Sequence, residues 1–133
     1  MKIIVDTNVL IRAVVRDDVK QARAAGKMLK EAEMIAVTLP CLCELVWVLR
    51  RVYDLARPDI ATALEALMEA ENVVVNRPAV EAGLAVFNAG GDFADGVIAY
   101  EGTWLGGESF VSFDRKAVSL LAKQGQKARL LTP

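Results

Sequence analysis

Short β-branched runs alternating with longer helix-patterned segments constrain this chain more than any other feature. "KIIVD" is short, apolar and ended by a polar residue, the pattern of a buried strand. "TNVLIRAVV" and "DDVKQARAAGKMLKEA" read as helices, the second with Asp17 or Asp18 near its start. "MIAVT" is a second strand, and "PCLCELVWVLRRVYDL" a helix with Pro40 near its first position. "RPDIATALEALMEA" is another helix, opened by Pro58, and "VVV" at 73–75 a third strand. "PAVEAGLAVFNAG" is a helix stopped by Gly90 and Gly91. "FADGVIAYEGTWLG" follows as a helix, "SFVSF" as a strand, "DRKAVSLLAKQG" as a helix and "ARLL" as a last strand. The alternation predicts crossover connections, hence an α/β fold with a mainly parallel sheet of about five strands and helices on both faces. The 133 residues, without linker, repeat or low-complexity tract, read as one domain spanning 1–133.

Composition narrows the chemistry. The chain has no histidine, which removes Ser-His-Asp and Cys-His catalysis and His-containing zinc sites. Hydrolytic chemistry must then use carboxylates, hydroxyls, basic side chains or an oxygen-bound metal. Sixteen basic residues against seventeen acidic ones argue against binding nucleic acid by bulk charge, while leaving room for a basic groove. "MKIIVD" is not a secretory signal, and no apolar stretch reaches the roughly 18 residues of a membrane span, so a cytoplasmic protein is expected. Cys41 and Cys43 would point about 200° apart on a helix, which disfavours a shared metal. They read as reduced, small apolar helix residues.

Parallel sheets collect ligands at the carboxyl ends of their strands. Asp6 and Asp114 stand at two such ends. One strand-end acid is commonly a helix cap, but two at independent ends favour a shared site. Glu44 lies in "CLCELVWVL", facing away from the core stripe of Leu42, Leu45, Val46, Leu49 and Tyr53. Trp47 and Val48 lie near its face, so it is either a paired or solvated surface acid or a cation ligand. Asp92 and Asp95 in "GGDFADGVIA" have capping-box spacing, although Asp is short for the second position. Asp92 is thereby explained by structure and Asp95 only in part.

"IIVDTNVLIR", "ELVWVL", "GGDFADGVIA" and "SFD", in this order, resemble the PIN-domain ribonucleases, and more closely the VapC toxins of toxin–antitoxin pairs. The likeness spans residues 3–121. It implies a PIN-like three-layer α/β/α sandwich and a metal-dependent endoribonuclease cutting structured RNA such as transfer or ribosomal RNA. It also implies that Asp6, Glu44, Asp95 and Asp114 converge on Mg²⁺ or Mn²⁺, supported by Thr7, Asn8 and Ser112, with Asp92 in a secondary role. Gly96 stands where many members have alanine, and Ser112 where threonine is frequent. All-oxygen ligands suit hard cations, and Mg²⁺ suits phosphodiester hydrolysis, expected to leave a 5′-phosphate and a 3′-hydroxyl.

Candidate RNA contacts are Arg12 and Arg16 after the first acid, Arg50 and Arg51 after Glu44, and Arg115 and Lys116 after Asp114. The resemblance further implies a homodimer, a cognate VapB-type antitoxin and a higher toxin–antitoxin complex. Trp47, Val48 and Leu55 are expected in the core rather than at an interface. Two rival classes share the fold: a Mg²⁺-dependent phosphotransfer or phosphatase domain, and a non-catalytic PIN-like binding module. The first would want a second aspartate where Asn8 stands or one after the third strand, and the second would be expected to have lost an acid.

Overall fold

The computed structural model covers residues 1–133 and contains five strands and seven helices in two compact units, Met1–Asn76 and Arg77–Pro133. In the N-terminal unit, β1 (Lys2–Ile4), β2 (Met34–Ala36) and β3 (Val73–Val74) form a parallel sheet in the order β1-β2-β3. Ile3 registers with Ile35, and Ile35 with Val73. The crossovers run through α1 (Thr7–Val15) and α2 (Val19–Glu31), then through α3 (Leu39–Arg51) and α4 (Arg57–Glu69). Asp18 caps α2 by accepting from the Gln21 N–H. Pro40 and Pro58 sit within the first two positions of α3 and α4, where a missing N–H costs nothing. At the other end of α2, the Asn72 amide donates to the carbonyls of Leu29 and Ala32 at 2.9 and 3.0 Å, satisfying groups a helix end leaves open. Leu10, Ile35, Leu42, Leu45, Leu49, Ile60 and Leu64 fill the core.

The C-terminal unit begins with α5 (Arg77–Asn88) packed on α6 (Phe93–Trp104), followed by β4 (Phe110–Ser112), α7 (Arg115–Lys123) and β5 (Ala128–Leu130). β4 and β5 pair in parallel, with Val111 opposite Arg129. Val86, Ala99 and Leu121 are buried together, flanked by Phe110, Leu120 and Ala128.

All strand pairings are parallel, as the alternation predicts, but the five strands form a three-stranded and a two-stranded sheet. Two other differences arise in α3. Its helix stops at Arg51 rather than continuing through Leu55, because the backbone leaves the helical region at Asp54, where φ is 53°. Trp47, expected in the core, is 59% exposed, whereas Leu42, Leu45, Val46 and Leu49 are buried as the stripe predicts. A 13-residue helix has one buried stripe, and Trp47 lies off it.

Candidate functional site

Asp6 follows β1 and adopts an extended backbone, so its carboxylate turns back and accepts from the Thr7 N–H at 2.8 Å. This caps α1. Thr7 is the buried polar residue of the core, 5% exposed, and its hydroxyl donates to the Cys41 Sγ at 3.6 Å. Cys41 lies in the first turn of α3, where its own N–H donates to the Thr38 cap at 3.3 Å. Glu44 follows Cys41 by three residues, which places both toward one side of the helix, and Glu44 is exposed. Burial pushes the Cys41 thiol up. The Thr7 hydrogen bond opposes that shift, and the charges of Asp6 and Glu44 add to it. The thiol is therefore neutral at pH 7, and it stands close enough to both carboxylates to feel them.

In the C-terminal unit, Gly90, with φ 98°, and Gly91 end α5. Asp92 then caps α6, accepting from the Ala94 N–H at 3.0 Å. The reciprocal half of a capping box is missing: Asp95 offers only its backbone N–H, to the Asp92 carbonyl at 3.1 Å. Its carboxylate has no capping duty. Burial raises the Asp95 carboxyl above the usual carboxylate range, and the charges of Asp92 and Asp114 raise it further. Asp114 caps α7 through the N–H groups of Lys116 and Ala117 at 2.9 and 3.2 Å, and the Ser112 hydroxyl accepts from the Asp114 N–H at 3.0 Å.

Close helix packing sets the place of Asp95. A Cβ on Gly96 would collide with the Ala82 carbonyl oxygen and lie 2.7 Å from the Gly83 Cα. A Cβ on Gly83 would lie 2.7 Å from the Phe93 ring. The two glycines let α5 and α6 approach backbone to backbone, which holds the first turn of α6, and Asp95 with it, partly under the surface. Gly96, which costs about 1 kcal/mol of helix propensity, is thus required by its neighbour.

The basic candidates separate into engaged and exposed groups. The Arg12 guanidinium is occupied within the protein, donating to Gln21 at 2.7 Å, Asp17 at 2.8 Å and the Tyr53 hydroxyl at 3.2 Å. Arg50 pairs with Asp54 at 3.8 Å. Arg16, Arg51, Arg115 and Lys116 are exposed, as is Asn8 in the first turn of α1. The Lys116 ammonium reaches over the glycine turn, 3.8 Å from where a Gly90 Cβ would stand.

The chemistry of the candidate donors suits a hard cation: carboxylates, no histidine, and a thiol kept neutral. Asp6, Asp92 and Asp114 each cap a helix through Oδ1, which leaves Oδ2 for a cation. No three such ligating side chains are gathered closely enough to hold a metal ion. Sequence reasoning missed Cys41, because its partner Thr7 is 34 residues away and nothing in the local pattern signals the pair.

Two parallel strands are followed by acids that cap helices, and in the C-terminal unit a third carboxyl, Asp95, is drawn partly under the surface and feels the charges of Asp92 and Asp114. The chain belongs to the PIN domain family, which it matches over residues 3–120, across both units. PIN domains are generally a nuclease fold, typically using divalent metals. No curated protein matches the chain. No helix is long and apolar enough to cross a membrane.

Proposed function

We propose that this chain is a metal-dependent endoribonuclease of the VapC toxin type, cutting structured RNA in the cytoplasm and neutralised by a VapB-type antitoxin. In this reading it is a homodimer that joins larger complexes with that antitoxin. The observation that carries the reading is Asp95, a half-buried carboxyl, raised by burial and like charge, on which no helix cap depends. Such a group is costly as an anion until a cation is near.

Asp6, Glu44, Asp95 and Asp114 would hold Mg²⁺ or Mn²⁺. When bound, the ion supplies Lewis acidity to a phosphate oxygen and acidifies coordinated water. The rest falls to the protein. The caps at Asp6 and Asp114 fix the orientation of their carboxylates. Ser112 anchors the backbone of Asp114. Arg115 and Lys116, exposed beside Asp114, hold the flanking phosphates, while Arg12, engaged within its own unit, contributes less.

The test is incubation of the purified protein with transfer and ribosomal RNA plus Mg²⁺ or Mn²⁺, followed by sequencing of 5′-phosphorylated ends. Discrete metal-dependent cuts are expected from the wild type and none from Asp95→Asn. Cleavage by Asp95→Asn at the wild-type rate would remove the basis of this reading.

A further inference from the structure

Thr7 is the polar residue that the core buries, and valine would fill its space without a hydroxyl to satisfy. Its hydroxyl is nonetheless satisfied, by the Cys41 sulfur at 3.6 Å. The location of this bond matters more than its strength. Thr7 directly follows Asp6, whose carboxylate its N–H receives at 2.8 Å. Cys41 precedes Glu44 on α3 by three residues, and its N–H is pinned to Thr38 at 3.3 Å. One sulfur-centred bond therefore joins the start of α1, which carries Asp6, to the first turn of α3, which carries Glu44.

We propose that Cys41 is a positioning residue: its sulfur, accepting from Thr7, sets the spacing of the Asp6 and Glu44 carboxylates and so the affinity of the site for a divalent cation. The inference rests on the nuclease reading for its purpose, but its test reads metal binding directly. Thr7→Val removes the donor with little change in volume, and Cys41→Val removes the acceptor while adding about one methylene. Cys41→Ser keeps an acceptor. The double variant Thr7→Val/Cys41→Val removes both polar groups, so it leaves no unsatisfied hydroxyl and folds even where a single variant is weakened.

The measurement is Mn²⁺ titration of the whole protein, followed by calorimetry and by the electron paramagnetic resonance of free Mn²⁺, with thermal melts of each variant. Both single variants are expected to bind Mn²⁺ about tenfold more weakly than wild type, the size typical of lost support around a metal ligand. Cys41→Ser recovers part of the loss. The double variant melts close to wild type yet keeps the weakened Mn²⁺ binding, an outcome that packing alone does not produce. Wild-type Mn²⁺ affinity in a folded double variant overturns the proposal, as does wild-type protein that binds no Mn²⁺. Protein that binds Mn²⁺ but cuts no RNA defeats the nuclease reading alone, and the variants' affinities still decide the role of Cys41.

Discussion

The two units start from the same local device and treat the neighbouring acid in opposite ways. Each follows a parallel strand with an aspartate that caps a helix, Asp6 before α1 and Asp114 before α7. In the N-terminal unit the companion acid, Glu44, is exposed, and what lies buried nearby is the neutral pair of Thr7 and Cys41. In the C-terminal unit the companion acid itself, Asp95, is half-buried, and burial with neighbouring charge raises its carboxyl. A strand-end carboxylate is placed by the first turn of its own helix. The environment of its companion is decided by how closely a second helix approaches: a hydroxyl–thiol bond ties α1 to α3, and facing glycines bring α5 against α6.

This contrast can be broken at several points. The largest expected effect is on activity: Asp6→Asn and Asp95→Asn should each lower RNA cleavage by about 100-fold or more, read as initial rates with Mg²⁺. Wild-type rates in either variant would remove that acid from the proposed reaction. Next, Gly96→Ala should destabilise the protein in spite of its better helix propensity. The added methyl meets the backbone of Ala82 and Gly83, and overpacking costs about 1–3 kcal/mol against a propensity gain of about 1 kcal/mol. Urea unfolding monitored by tryptophan fluorescence measures the net loss, and an increase in stability would show that α5 and α6 part easily.

Asp92→Ala should cost about 1 kcal/mol of cap energy in the same unfolding assay while sparing most cleavage. Loss of cleavage at unchanged stability would move Asp92 from helix start to ligand.

The smallest effect is a stability change with a definite sign. The folded carboxyl of Asp95 lies above its unfolded value of 3.8, so its stabilising contribution is complete below that pH and is lost as pH rises through the raised value. Asp95→Asn should therefore melt above wild type at pH 7 without metal, and the gain should vanish below about pH 3.8. Saturating Mg²⁺ should narrow the pH 7 difference by stabilising wild type alone. A variant that melts lower than wild type at pH 7 would mean that the Asp95 carboxylate is stabilised by groups other than a cation.

Much of this was legible in the sequence because it is local. Asp6, Asp18, Asp92 and Asp114 start helices where short side chains precede helix-patterned runs, and a cap needs only its own first turn. Pro40, Pro58 and the Gly90–Gly91 stop follow from backbone restrictions carried by single residues. The split of Asp92 from Asp95 was only half legible: the spacing suggests a reciprocal box, whereas Asp92 caps through Ala94 and Asp95 meets it only through its backbone N–H.

The order of elements, the parallel pairing that crossovers impose and the acids that follow strands are written in the chain itself. The tertiary structure alone decided which polar groups meet over distance. Arg12 is drawn into the Asp17–Tyr53 cluster, Cys41 receives the Thr7 hydroxyl, and Gly96 faces a neighbouring backbone instead of an empty surface. A cap is a bond between residues two or three apart, whose cost in chain entropy is small and whose partners are written side by side. A bond between positions 7 and 41 exists only after two helices have packed, and no local pattern of residue types records it.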